Sequence, residues 1–160
     1  MPRNATELLV LAAATVLAIG LLGGFQTGGR PALSPDRASW TLTPGVANPE
    51  VTQATIGETI CKHGWTKTIR PPTSYTNELK VEQMKLYGRI GSTSDYQEDH
   101  LISLELGGHP TDERNLWPEP IERATEVDSI EDELNGKVCS GEITLEEGQR
   151  QESELKHTAG

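Results

Sequence analysis

The chain has 160 residues, 24 of them acidic and 14 basic, for a formal charge of −10. That balance excludes strong non-specific nucleic-acid binding, because phosphate contacts from Lys and Arg supply most of that affinity. The charge is uneven, however. Between Cys61 and Arg89 stand Lys62, Lys67, Arg70, Lys80, Lys85 and Arg89 against Glu78 and Glu82, whereas acids dominate from Ser92 onward. The basic stretch reads either as a docking surface or as a solvated helix face.

Leu8 to Phe25 is an uncharged apolar run preceded by Arg3. It predicts an N-terminal apolar helix over residues 1–25, serving as a signal peptide or as a membrane anchor. Its length is at the lower limit for spanning a bilayer, and only "AIG" at Ala18 to Gly20 weakly resembles a cleavage site. Either reading places the protein outside the cytoplasm, secreted or membrane-anchored. Residues 26–50 are rich in Gly, Pro, Ser and Thr, so a flexible linker is expected there. Residues 51–160 are expected to form one small domain with a modest core.

Within that domain, Val51 to Cys61 mixes β-branched and polar residues and predicts an extended segment. Arg70-Pro71-Pro72 blocks helix formation. Thr76 or Asn77 can then cap a helix running to about Tyr87, with Gly88 ending it. Asp99 to Leu106 alternates apolar and polar residues, which predicts a strand. Gly107 to Arg114 is turn chemistry. Asn115-Leu116-Trp117 opens a second strand that Pro118 is expected to halt. Pro120 fits the first turn of a helix. Ile121, Ala124, Val127, Ile130 and Leu134 recur at helical spacing, and Asn135-Gly136 is expected to close that helix. Thr144 and Glu147 form a capping box for a final helix, which Gly148 weakens. The class is α+β. Export would favour a disulfide between Cys61 and Cys139, worth about 4 kcal/mol in the chain-entropy picture. Two buried free thiols are the other reading.

The chemistry concentrates in "QEDHLISLELGGHPTDERNLWPEP", Gln97 to Pro120. Hydrolysing a phosphodiester requires water to be deprotonated, the phosphate charge to be neutralised and the leaving oxygen to be stabilised. His100 suits the first task, and a divalent ion on a hard carboxylate such as Asp99 suits the other two. Adjacent strand residues point to opposite faces, so Asp99 and His100 share a site only if the backbone bends there. A backbone carbonyl or a side chain on the other ring nitrogen would orient His100. Asn115 can bridge backbone groups across the loop and keep it closed. Taken alone, an Asp-His pair is more often a capped turn or a surface ion pair, and an Asn here is also a plain turn residue. Glu98, Glu105 and His109 are expected to face solvent, Trp65 and Trp117 to anchor the core, and His63 and His157 to lack supporting neighbours.

"EDHLISLELGG…NLW" followed by a helix resembles the HNH, or ββα-metal, nuclease family. The wider chain is similar to a group of small exported bacterial proteins carrying "VTQATIGETIC", "GWTKTIRPP", "YTNELK" and "NLWPEP" in the same order. The resemblance implies a small ββα-metal (HNH-like) core with additional helices. It also implies a metal-dependent endonuclease acting on nucleic acid, with Mg2+ or Mn2+ as cofactor. Asp99 would bind the metal, His100 would be the general base and Asn115 would hold the loop. The sequence departs from the pattern where a helix ligand is expected. Arg123 and Ala124 stand there, with Glu122, Glu126 or Asp128 as substitutes. Ser103 replaces a typical Pro, and zinc-binding cysteine pairs are absent. The alternative is a non-catalytic exported binding or cell-envelope module on a degenerate HNH scaffold.

Overall fold

Pro71 and Pro72 hold an extended path that ends where the first long helix begins. The computed structural model describes residues 33–158. The apolar run and the first part of the expected linker lie outside the described residues. A short helix α1 (Trp65–Ile69) precedes α2 (Thr73–Tyr87), and Gly88 ends α2 in the left-handed conformation with φ 63°. The Arg89 N–H reaches back to the Met84 carbonyl, as expected of a glycine-terminated helix. Strand β1 (Tyr96–His100) then pairs antiparallel with β2 (Leu116–Pro120), and α3 (Ile121–Ser140) and α4 (Leu145–Thr158) follow. The described residues are therefore α+β, with four helices and one two-stranded antiparallel sheet.

Several boundaries differ from the sequence reading. The strand expected over Asp99 to Leu106 ends at His100, and Leu104–Leu106 is a 3-10 turn. Leu101, Ile102, Leu104 and Leu106 are all buried, so this segment crosses the core as a coil instead of presenting one face to water. Pro118 does not halt β2. It pairs opposite Glu98, and a two-stranded sheet leaves each strand an open edge that needs no donor. Asn135-Gly136 does not close α3 either. Leu134 and Val138 continue the apolar stripe into a core with Ile60, Ile102, Leu106 and Leu145, and Gly141 ends the helix. The Asn135 side chain donates to the Glu105 carbonyl at 2.7 Å. Val51 to Cys61 is a run of turns with a 3-10 turn at Ile56–Glu58, not an extended segment.

The linker expected to residue 50 is packed from Ala38 onward. Its backbone bonds to Lys156, Arg114 and Gly107, and Thr43 is fully buried. Low apolar content predicts a linker here, but backbone hydrogen bonds hold this segment in place. Cys61 and Cys139 form the expected disulfide, with Cα atoms 5.5 Å apart. It ties the turn before α1 to the end of α3 and fits an oxidising compartment. No helix among the described residues is long and apolar enough to cross a membrane.

Candidate functional site

Paired residues of an antiparallel sheet share a face. His100 therefore lies with Glu98, opposite Leu116 and Pro118, while Asp99 lies with Gln97, opposite Trp117 and Glu119. Despite this alternation, Glu98, Asp99 and His100 all line one cavity of about 170 Å3, whose rim carries Arg70, Thr73 and Thr76.

His100 is almost fully buried, and its Nε2 lies 3.0 Å from the Pro110 carbonyl oxygen. A carbonyl can only accept, so Nε2 carries the proton and Nδ1 keeps a lone pair. No described residue bonds Nδ1. Burial pushes the imidazole below its ordinary pKa, outweighing the Pro110 bond and the Asp99 charge. The ring is thus neutral at pH 7 and equipped to accept a proton.

The loop that supplies Pro110 is fixed by Asn115, whose side chain is fully buried. Its Oδ1 accepts from the N–H groups of Ile102 at 3.0 Å and Val46 at 3.2 Å. Its Nδ2 donates to the carbonyls of Ile102 and His109, both at 3.0 Å. One side chain thereby joins three segments. Gly108 lets them approach, since a Cβ there would stand 1.7 Å from the Ile102 oxygen. His109 is not simply solvated, because its Nδ1 accepts from the N–H groups of Thr111 and Asp112.

Asp99 meets a different partner from the one expected. The fully buried Lys156 of α4 donates to Asp99 Oδ2 at 2.9 Å, to Glu131 Oε1 at 2.6 Å and to the His100 carbonyl at 2.5 Å. Glu152 Oε1 lies 3.2 Å away. Burial raises the Asp99 carboxyl, but the ammonium outweighs it and holds the group below the usual range. Burial likewise opposes the charge of Lys156, and Asp99, Glu152 and Glu131 together push its pKa well above normal. Glu119 and Glu131 are pushed up, to about 8 and about 9, chiefly by burial.

The expected metal site does not fit these donors. The oxygens surround an ammonium at 2.6–3.2 Å, whereas Mg2+ or Mn2+ requires contacts of about 2.0–2.2 Å. Among the described residues no three His, Cys, Asp or Glu side chains are placed to hold a metal ion. Of the substitutes on the helix, Glu122 and Glu126 are exposed. Asp128 shares a second, acidic cavity with Asp99, Glu105, Glu131 and Asp132. Arg123 donates to the carbonyls of Asp36 and Leu155, which excludes it as a ligand.

Three further residues depart from the sequence reading. Glu98 does not face solvent: both its oxygens are buried, and burial, then Asp99, push its carboxyl to about 8. Glu105 is half-buried. His157, expected to lack neighbours, is buried, lies 3.0 Å from the Thr43 oxygen and stacks on Trp40. Two basic residues have structural roles, Lys80 on the Tyr96 carbonyl and Arg89 on those of Ser34 and Arg37. The sequence reading missed Glu119, Glu131, Glu152 and Lys156. Its one available signal was the stripe Leu145, Gly148, Glu152, Lys156, which sets two charges on the inward face of a helix. Comparison with known families, curated proteins and solved structures found no match.

Proposed function

We propose that the protein is an HNH-like phosphodiester hydrolase acting on nucleic acid, with His100 as general base. The observation that carries this reading is the Nε2–H of His100 tied to the Pro110 carbonyl, which leaves Nδ1 without a partner among the described residues, on a side chain that lines a polar cavity. Water held there would give its proton to Nδ1 while attacking phosphorus. The Arg70 guanidinium, exposed at the rim, would balance charge on the phosphate. Glu98, on the same face as His100, keeps its proton up to about pH 8 and would donate it to the leaving oxygen. Asn115 acts through His100 by fixing the loop that carries Pro110, and is a positioning residue. Asp99 is committed to Lys156, so no step is assigned to a metal ion on it. The disulfide agrees with an exported protein.

The test is cleavage of plasmid DNA and of a labelled RNA oligonucleotide by the purified full chain. Replacing His100 by Ala should lower the rate about 10²–10⁴-fold with the fold intact. Activity should rise through a pKa below the ordinary histidine value and fall near pH 8, and Glu98→Gln should remove the alkaline limb. Equal rates for parent and His100→Ala would refute the assignment.

One observation favours a second reading, a non-catalytic exported binding module. Lys156 neutralises the carboxylate that the nuclease pattern reserves for metal. A folded protein that cleaves neither substrate at any pH, with or without divalent ions, would establish that reading.

A further inference from the structure

We infer that the Lys156 ammonium takes the place of a divalent metal ion as the partner of the Asp99 carboxylate. The feature is more than a group of acidic residues, because a cation is already seated among them. Each of the three ammonium protons has an acceptor: Asp99 Oδ2, Glu131 Oε1 and the His100 carbonyl. Glu152 stands one turn earlier on α4 and adds a further carboxyl group at 3.2 Å. Glu119, fully buried beyond Asp99, is ion-paired with Arg123 at 3.5 Å.

The charge arithmetic favours a permanent cation. Removing an ammonium from water is costly, and the cost is met only where several opposite charges and hydrogen bonds surround it. Lys156 has three carboxyl groups within 3.2 Å. A divalent ion ligating Asp99 Oδ2 would stand at most about 5.5 Å from the ammonium and be repelled by it. The ammonium also needs no metal supply, and it ties the end of α4 to the last residues of β1. Lys156 does not touch the cavity that His100 lines, so it acts by holding Asp99 and the His100 backbone. It is a positioning residue. Taking away the ammonium would leave Asp99, Glu131, Glu152 and the His100 carbonyl around one vacated point. A contraction of up to about 1 Å would bring them to the contacts of about 2.2 Å that Mn2+ requires.

The identity of the displaced ion rests on the hydrolase reading, but the binding test does not. Mn2+ binding to the full chain is measured by electron paramagnetic resonance and calorimetry, in the parent, Asp99→Asn, Lys156→Ala and Lys156→Ala/Asp99→Asn. The parent should bind no Mn2+ that Asp99→Asn removes. Lys156→Ala should bind Mn2+ at least about tenfold more tightly than the parent, and the added Asp99→Asn change should abolish the gain. Should Lys156→Ala fail to fold alone, Mn2+ should restore its far-UV circular dichroism, with Lys156→Gln as the second variant. Mn2+ bound by the parent at Asp99, or a Lys156→Ala chain that neither binds nor is refolded by Mn2+, would overturn the inference. Parent cleavage that survives EDTA supports it. A parent that binds no Mn2+ and cleaves nothing sinks the hydrolase reading alone, and one that cleaves only with Mn2+ on Asp99 sinks this inference alone.

Discussion

Asn115 and Lys156 are both fully buried polar side chains at the loop end of the same hairpin, and they hold it by different physics. Asn115 is neutral, and its four hydrogen bonds all go to main-chain groups within one loop and a neighbouring segment. Lys156 is charged, and its partners come from β1, α3 and α4. The neutral bridge fixes a shape that is insensitive to pH and salt. The charged cluster holds more carboxyl groups than one ammonium can neutralise, so part of it retains protons. One of these attachments is therefore a rigid brace and the other a titrating one.

Removing the brace should have the largest effect. Asn115→Ala leaves the Ile102 and Val46 N–H groups and the Ile102 and His109 carbonyls without this partner. A loss of about 3–5 kcal/mol is expected in denaturant unfolding, nearly constant between pH 5 and 9. A loss under about 1 kcal/mol would mean that water or a loop shift replaces those bonds.

The charged cluster should respond to pH more gently. Glu119 and Glu131 have folded pKa values of about 8 and about 9, well above the ordinary carboxyl value. The folded state then binds more protons than the unfolded state between about pH 4.5 and 9. Their stabilisation is complete below the unfolded value and is lost as pH rises through the folded values. Unfolding free energy should thus decline from pH 5 to pH 9, and Glu131→Gln should flatten the decline. A stability that rises over this range would show that these carboxyls are ionised around Lys156.

The same contrast explains what could be read from the sequence. His100, Asn115, β2 and the start of α3 were legible because they lie within 25 residues and are set by local spacing and turn chemistry. The bridging role of Asn115 follows from its place at the end of a glycine loop. The partner of Asp99 was not legible. Lys156 is 57 residues away, and only the packing of α4 against the hairpin brings it there. Alternation at Leu101 to Leu106 suggested a strand, but a segment buried on all sides carries no information about its period. The segment from Ala38 to Glu50 looked like a tether because its attachments are main-chain hydrogen bonds, which composition does not reveal. Asp99 and His100 do reach one cavity, as the nuclease pattern requires, although they leave β1 on opposite faces.

The account depends most on the state of one imidazole. The 15N chemical shifts and couplings of His100, followed from pH 4 to 9 by NMR, report its tautomer and its pKa together. The structure predicts a proton on Nε2, a bare Nδ1 and a pKa below the ordinary histidine value. A proton on Nδ1, or a pKa above that value, would contradict the role given to His100.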